Sequence, residues 1–295
     1  MQPVEPIVER VWPGRSAQIE ALGGGITNRN FKVTLDDGAY VLRIGGKDTE
    51  LLGIDRRVEH EASLAAAAVG VGPEVIAFVE PEGYLVTRFI EGEVVAPDAI
   101  RQAEALRRVA QSLRAVHACP PIAARFDSFR VVEAYAATAA IHGVTLPLAF
   151  EGARETAALI ERARGPVPER PCHNDLLTAN FIDDGRQLRI VDWEYAGMGD
   201  VFFDLANFVV NNGLTADETI AFLRAYLGGV RTEHERALTL MRFMSDFREA
   251  MWGVVQQALS DLDFDFRGYA EEHFERLERT ASERAFRKAL AGSDG

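Results

Sequence analysis

The sequence predicts an α+β protein in which a small strand-rich lobe precedes a larger, mainly helical lobe. About the first ninety of the 295 residues contain short runs with strand-like patterns, separated by turn residues and interrupted by one helical segment. After residue 98, apolar residues recur three or four positions apart over most of the chain, as they do on the buried face of a helix. A chain of this length can form two lobes with a sizeable core.

The amino-terminal lobe is predicted to span residues 1–91, with a hinge at about 88–92. Its strands are predicted at residues 18–22, 29–35, 39–44, 75–79 and 84–89. Asp36-Asp37-Gly38 is typical of a hairpin turn, because Asp and Gly tolerate positive φ. Residues 55–69 are predicted to form the single helix of this lobe, which Asp55 caps and Gly70 ends.

The carboxy-terminal lobe is predicted to span residues 93–295. Helical patterns cover residues 100–117, 131–142, 151–164, 203–212, 216–227, 233–260 and 267–291. Pro120-Pro121 ends the first of these helices. Residues 166–198 differ from the rest of the lobe, because short β-branched runs alternate there with polar loops. This irregular insert is the natural place to look for chemistry.

Composition excludes several classes of function. The 45 acidic residues outnumber the 32 basic ones, which gives a formal charge of −13 and argues against binding to nucleic acid or to an anionic membrane. No apolar run approaches 18 residues, so no membrane insertion is expected. Two cysteines, Cys119 and Cys172, cannot form a disulfide framework. The sequence therefore predicts a soluble, cytoplasmic protein.

The insert contains a polar cluster with the spacing of a phosphoryl-transfer site. Asp175 and Asn180 are five residues apart, and Asp192 follows a strand-like run. Hard oxygen ligands of this kind suit magnesium, and a further carboxylate can accept the proton of an attacking hydroxyl. In protein kinases, the catalytic-loop Asp and Asn have the same spacing, and a metal-binding Asp follows them. The alternative is a polar loop whose Asp and Asn residues only cap helices.

Longer segments carry a family resemblance. HNDLLTANF, VDWEYAGMGDVFFDLAN, GGGITNRNFKV and WGVVQQALSDLDFDFRGYAEEHFERL, taken together, resemble the choline/ethanolamine kinase family within the aminoglycoside-phosphotransferase-like, protein-kinase-like group. The resemblance covers nearly the whole chain. It implies the two-lobed protein-kinase-like fold, with nucleotide bound between the lobes.

The resemblance assigns catalytic roles to individual residues. Asp175 would be the catalytic base, and Asn180 and Asp192 would bind magnesium, while His173 and Asp204 would brace the catalytic loop. Other residues are assigned to the phosphates. Arg43 would hold the α- and β-phosphates, because its planar fork grips phosphate oxygens. Its partner would be a carboxylate of the first helix, Glu59 or Glu61, with Glu59 preferred.

Two further segments are predicted to contact ATP. A glycine loop allows backbone N–H groups to approach phosphates closely, with further donors from two polar side chains. The residues assigned here are Gly24, Gly25, Thr27 and Asn28. The strand that leads into the hinge would supply an apolar slot and backbone hydrogen bonds for adenine, from Arg88, Phe89 and Ile90.

The acceptor is predicted to be a small alcohol. Only eleven residues separate Asp192 from Asp204, which leaves no platform for a peptide. The resemblance implies an aromatic cage for a quaternary ammonium, held by cation–π contacts. Its candidate residues are Tyr195, Trp252, Phe264, Phe266 and Tyr269.

The chain departs from the eukaryotic choline kinase pattern at two of these positions. Glu249 stands where a second cage tryptophan is expected, and Asn211 stands where an acidic residue is expected. A carboxylate at position 249 can partner a primary amine. Glu194 and Asp200 are predicted to add negative charge near the same pocket.

The resulting hypothesis is ATP- and Mg²⁺-dependent phosphorylation of a cationic amino alcohol, with choline first and ethanolamine next. An antibiotic kinase acting on aminoglycosides or macrolides, or a kinase for a metabolite such as thiamine, is the alternative within the same fold. A nucleotide-binding scaffold without catalysis is the alternative from another class. A monomer or homodimer is expected.

Overall fold

The structure is a computed structural model that describes residues 3–23, 28–260 and 262–292, and it confirms the predicted α+β architecture. The amino-terminal part is a five-stranded antiparallel sheet in the order β1-β2-β3-β5-β4, with two helices. Its elements are α1 (Glu5–Val11), β1 (Gln18–Leu22), β2 (Asn28–Leu35), β3 (Gly38–Gly45), α2 (Arg56–Ala68), β4 (Val75–Val79) and β5 (Tyr84–Arg88).

The rest of the chain is mainly helical, with two small sheets. The elements are β6 (Glu93–Val94), α3 (Ala103–His117), α4 (Ser128–Ile141), α5 (Ala149–Arg164), β7 (Glu169–Cys172), β8 (Phe181–Asp183), β9 (Leu188–Ile190), β10 (Gly197–Asp200), α6 (Val201–Asn211), α7 (Ala216–Leu227), α8 (Thr232–Leu259), α9 (Phe266–Ser282) and α10 (Arg284–Ala291). The short strands form the pair β10-β7 and the sheet β6-β8-β9.

Local sequence signals explain the elements that position the site. The hairpin β2–β3 pairs Leu35 with Gly38, so the turn contains only the two residues between them. The side chain of Asp55 accepts hydrogen bonds from the N–H groups of Arg57 and Val58, which caps α2. The hairpin β8–β9 follows directly after a short 3-10 turn at Thr178–Asn180 and ends just before Asp192.

Two expectations about helices are wrong. The first lobe contains a second helix, α1, which was not predicted because it has only seven residues and begins without a side-chain cap. The single helix expected at 267–291 is divided at Glu283, whose backbone is extended. The division lets α10 fold back onto α8, where the rings of Phe286 and Phe243 stack with centroids 5.5 Å apart.

The buried apolar residues form two clusters, and the larger one also includes residues of α2, such as Ala62 and Ala66. A cluster that includes Val33, Leu42 and Val86 lies within the first sheet and its helix α1. A larger cluster is centred on α3, α6 and α8 and includes Leu113, Phe208 and Phe247. None of the helices in the described ranges is both long and apolar enough to cross a lipid bilayer.

Candidate active site

A buried carboxylate holds the loop that carries Asp175. Asp204, on α6, is completely buried and accepts hydrogen bonds from the backbone N–H groups of His173 (2.9 Å) and Asn174 (2.6 Å). Nε2 of His117 lies 2.9 Å from Oδ2 of Asp204, the oxygen that also accepts from His173. Burial alone raises the pKa of Asp204, but these contacts hold it below its usual value. The loop is therefore fixed at Asn174, which adopts a left-handed φ of 67°.

His173 connects this loop to the second half of the site. Its Nε2 lies 3.0 Å from the carbonyl oxygen of Val191, and its Nδ1 accepts a hydrogen bond from the N–H of Asp175 at 3.2 Å. These two contacts require the neutral tautomer with hydrogen on Nε2. Burial lowers the pKa of His173, which keeps the ring neutral. The ring thus joins the backbone at Asp175 to the residue that precedes Asp192.

Asn180 lies beside both predicted acids. Its side-chain Nδ2 donates to the backbone carbonyl oxygen of Asp175 at 2.9 Å, and its backbone carbonyl oxygen accepts from the N–H of Val191 at 3.0 Å. The first contact fixes the orientation of the side-chain amide, so Oδ1 is the oxygen that Asn180 would offer to a metal. Asp192 has a left-handed φ of 70°, a conformation that Asp adopts more readily than most residues.

Arg43, on β3, reaches across to Asp192. Its Nη1 donates to Oε1 of Glu59 at 2.8 Å and to Oδ1 of Asp192 at 2.5 Å. Glu61, the other candidate partner, instead accepts a hydrogen bond from the N–H of Ala123. The two carboxylates keep the pKa of Arg43 above its usual value although burial opposes this. Arg43 is therefore a permanent cation between the lobes.

A second, largely buried arginine binds Glu194, and the expectation that Glu194 adds negative charge near the acceptor pocket stays a prediction. Arg56 donates through Nη1 to Glu59 (2.7 Å) and Glu194 (3.1 Å), and through Nη2 to Asn28 (2.9 Å). Asn28 also donates to Glu194 at 2.8 Å. The sequence did not single out Arg56, because one arginine at the start of a helix is a common feature. The other glycine-loop residues assigned to ATP, namely Gly24, Gly25 and Thr27, lie outside the described residues.

A cavity of about 500 Å³ lies between the sheet and the catalytic loop. Its polar wall contains Arg43, Glu59, Asn180 and Asp192. Its apolar wall contains Val41, Leu85, Phe89, Ile90 and Ile182, and the remaining hinge candidate Arg88 also lines it. The strand that was predicted to contact adenine thus lies on the same cavity as the predicted metal ligands.

Asp175 faces a residue that the sequence analysis missed. Nη1 of Arg248, on α8, lies 3.1 Å from Oδ1 of Asp175 and 2.6 Å from Oε1 of Glu249. Burial raises the pKa of Asp175 to about 7, although the Arg248 cation opposes this shift. A signal was present in the sequence: Arg248 is four residues before Trp252, which places the two on one face of a helix.

The predicted cage residues do come together. Trp252 Nε1 donates to the hydroxyl of Tyr195 at 3.1 Å, and the ring of Tyr269 lies 5.5 Å from that of Trp252. Phe266 contacts Trp252 and Phe264. Glu249 accepts a hydrogen bond from the hydroxyl of Tyr269 at 2.9 Å, and its pKa is lowered because Arg248 and other neighbours outweigh burial.

Two other candidates lie differently. The expectation that Asp200 adds charge to this pocket is wrong, because it caps α6 and pairs with Arg164 at 2.5 Å. Asn211 ends α6, and its Nδ2 is buried with no hydrogen-bond partner in the described part of the chain. Asn207, one turn earlier, contacts the loop as Asp204 does, because its Oδ1 accepts from the N–H of Leu176 at 2.6 Å.

Comparison with known proteins shows the family to which the chain belongs. The model of the phosphotransferase enzyme family, APH, matches residues 18–240. The chain belongs to this family. A choline/ethanolamine kinase family protein from Mesorhizobium loti, known from a crystal structure, is 31% identical to this phosphotransferase and covers 97% of both chains with a TM-score of 0.84.

Two further similarities extend the comparison. Choline kinase LicA from Streptococcus pneumoniae matches 98% of this phosphotransferase and 99% of its own chain, with a TM-score of 0.79 and 23% identity. Ethanolamine kinase 1 of Mus musculus is 25% identical over 308 aligned residues, which cover 89% of this chain and 84% of the mouse protein. The predicted family, the protein-kinase-like fold and the class of alcohol-phosphorylating enzyme are confirmed. The roles of individual residues, the lobe boundaries and the oligomeric state stay predictions.

Proposed function

We propose that the protein transfers the γ-phosphoryl group of ATP, with Mg²⁺, to the hydroxyl of a small amino alcohol, and that choline and ethanolamine are the first candidate acceptors. The observation that carries this proposal is that Arg43, Asn180 and Asp192 line one cavity, with Asp175 beside it, where the backbone carbonyl of Asp175 accepts a hydrogen bond from Asn180. Relatives named choline kinase and ethanolamine kinase support the class of acceptor.

The cavity offers a nucleotide two different environments. Its volume of about 500 Å³ is in the range of small-molecule sites. The apolar wall around Val41, Leu85 and Ile90 suits a purine ring. Arg43 at the opposite wall suits the α- and β-phosphates, and its contact with Glu59 holds the guanidinium in place.

The donor set at the polar wall fits magnesium. Asn180 and Asp192 would hold the ion, because both offer hard oxygen atoms on the cavity wall and the amide of Asn180 is already oriented by Asp175. When bound, magnesium neutralises charge on the phosphates.

Asp175 acts on the acceptor. Its carboxylate accepts a hydrogen bond from the acceptor hydroxyl, orients it, and takes its proton as the new bond from oxygen to phosphorus forms. The bond between the γ-phosphorus and the bridging oxygen breaks, and ADP leaves with that oxygen. A carboxylate with a pKa of about 7 is well matched to proton transfer near neutral pH. No covalent enzyme intermediate is required.

The test is Asp175→Asn, assayed by ADP release in the presence of Mg·ATP. The acceptor panel contains choline, ethanolamine, thiamine and one aminoglycoside. We expect turnover of an amino alcohol by the unmodified protein, a loss of at least about 100-fold in the variant, and unchanged ATP binding by calorimetry. Near-native turnover in Asp175→Asn would overturn the assignment of the base.

The panel also separates the alternatives. Turnover of thiamine or the aminoglycoside alone would replace the proposed acceptor. ATP binding without product from any acceptor would favour a scaffold. The cytoplasmic location stays a prediction.

A further inference from the structure

Arg248 is a buried cation with an unused hydrogen-bonding edge. The residue is only 1% exposed, and a single nitrogen, Nη1, makes both of its contacts with carboxylates, Asp175 and Glu249. Within residues 3–23, 28–260 and 262–292, its Nε and Nη2 have no hydrogen-bond partner. Buried donors are almost always paired in folded proteins, so two orphaned donors on one charged group require an explanation.

The unused edge has a defined geometry. The N–H groups of Nε and Nη2 lie parallel on one side of the planar guanidinium, and this side-on pair matches the two oxygens of a carboxylate. Nη1, which contacts Asp175 at 3.1 Å, lies on the other side of the group. The guanidinium therefore binds Asp175, the predicted base, through Nη1, and its Nε–Nη2 edge remains available for a bidentate contact.

Arg248 also covers the aromatic surface that a quaternary ammonium would need. Its Cζ lies 4.4 Å from the centre of the Tyr195 ring, which is a cation–π contact. Trp252, on the same face of α8, holds the Tyr195 hydroxyl. A second cation over Tyr195 would meet a buried positive charge, so this ring is a poor partner for choline.

Glu249 is likewise engaged. Its Oε1 contacts Arg248 at 2.6 Å and its Oε2 accepts from Tyr269 at 2.9 Å. The carboxylate is therefore largely neutralised before any acceptor binds. Apart from Asp175, which the proposed function pairs with the acceptor hydroxyl, the charged group of this region with unpaired hydrogen-bonding atoms in the described structure is the Arg248 cation, and its free edge suits an anion.

We propose that the acceptor carries a carboxylate as well as its hydroxyl, and that the Nε–Nη2 edge of Arg248 binds this carboxylate while Asp175 binds the hydroxyl. This inference rests on the proposed function and narrows its substrate class to hydroxy amino acids. Because Arg248 and Asp175 are in contact, the two acceptor groups are separated by only a few bonds. The amine of such an acceptor keeps Glu249 and Tyr269 as neighbours.

The test compares acceptors that differ only in the carboxylate. The pairs are ethanolamine with serine and 3-aminopropan-1-ol with homoserine, and choline is the reference. kcat/KM is measured by ADP release at saturating Mg·ATP, and Kd is measured by calorimetry with Mg²⁺ and a non-hydrolysable ATP analogue. Because a bidentate charged pair is formed, we expect a preference of roughly tenfold or more for the carboxylate-bearing member of at least one pair.

Variants assign that preference to Arg248. Arg248→Lys keeps the charge but lacks the planar edge, so the preference should fall by about tenfold while KM for ATP stays unchanged. Arg236→Lys is the matched control, because Arg236 lies on the same helix and, among the described residues, hydrogen-bonds to the backbone carbonyls of Ala289 and Ala163. It should retain the full preference. If Arg248→Lys does not fold, the acceptor pairs with the unmodified protein still decide the question.

The outcomes separate this inference from the proposed function. Carboxylate-selective binding without phosphoryl transfer would sustain the inference and overturn the proposed function. Transfer to choline or ethanolamine with no carboxylate preference would overturn the inference alone. An equal loss for both members of each pair in Arg248→Lys would also overturn it, because it would indicate a structural role or contact with the transferring phosphoryl group. Absence of binding by every acceptor would overturn both.

Discussion

Replacement of Asp204 by Asn should weaken the hydrogen bonds that hold the catalytic loop, with almost no change in side-chain volume. The buried carboxylate accepts from His173, Asn174 and His117 at 2.6–2.9 Å. An amide keeps one acceptor oxygen but places an NH₂ group against an N–H donor. Hydrogen bonds to a charged group contribute about 1.5–3 kcal/mol each, and a buried donor left unpaired costs about 1–3 kcal/mol.

The expected loss of stability in Asp204→Asn is therefore about 3–5 kcal/mol. For a chain of this size this corresponds to a decrease in Tm of roughly 10 °C. The left-handed backbone of Asn174 loses one of its restraints, so Asp175 should move. A displacement of about 1 Å at a reacting group can reduce kcat by about 100-fold.

The assay is calorimetric unfolding together with kcat measured well below both transitions. Asp246→Asn is the control, because Asp246 is a buried carboxylate of α8 that pairs with His273 and Arg276 and makes no contact with the loop among the hydrogen bonds of the described residues. It should lower Tm and leave kcat within about threefold of the unmodified protein. The reasoning is refuted if Asp204→Asn retains as much kcat as Asp246→Asn.

Three further predictions concern the nucleotide, the hairpin and the last helix. Arg43→Lys should raise KM for ATP by about tenfold, measured by initial rates, because lysine lacks the planar group that is proposed to hold the phosphates while Nη1 contacts Glu59; an unchanged KM would exclude this role. The pKa of Asp184 is lowered to about 2, because hydrogen bonds and the Arg189 cation outweigh burial. The ionised Asp184 carboxylate therefore stabilises the fold fully above about pH 4, and this stabilisation is lost as the pH falls through about 2. In urea unfolding, Asp184→Asn should be less stable than the unmodified protein by about 1 kcal/mol at pH 7, and the difference should shrink below pH 4. A difference that grows in acid would contradict this sign. Phe286→Ala should destabilise the protein by about 3–4 kcal/mol in the same assay, since the ring is 2% exposed and stacks on α8; a loss below about 1 kcal/mol would show that α10 packs loosely.

Local signals in the sequence predict most of the fold. The Asp36-Asp37-Gly38 turn and the cap at Asp55 depend on neighbouring residues, and both are found where they were predicted. The break at Glu283 has no comparable signal, because it results from the packing of Phe286 against α8. An amphipathic pattern predicts that a helix has a buried face, but not that the helix must bend to reach a distant partner.

In the candidate site, too, local features can be predicted from the sequence and long-range contacts cannot. The spacing of Asp175, Asn180 and Asp192 is local; in the structure Asn180 and Asp192 line one cavity, and Asn180 donates to the backbone carbonyl of Asp175. Glu194 and Arg248 depend on long-range pairing: Glu194 binds a residue 138 positions away, and Arg248 one 73 positions away. From charge one can predict that such residues are paired when they are buried. Which residues pair with Glu194 and Arg248 depends on the folded arrangement of distant parts of the chain.

A crystal structure with Mn²⁺, a non-hydrolysable ATP analogue and a phosphorylatable acceptor tests the central claim most directly. Anomalous scattering from manganese locates the metal without reference to the assigned ligands. We expect a peak at metal-ligand distance, about 2.1 Å, from Oδ1 of Asn180 and the carboxylate of Asp192, with the acceptor hydroxyl hydrogen-bonded to Asp175. A metal held by other residues, with Asp175 remote from the acceptor, would contradict it.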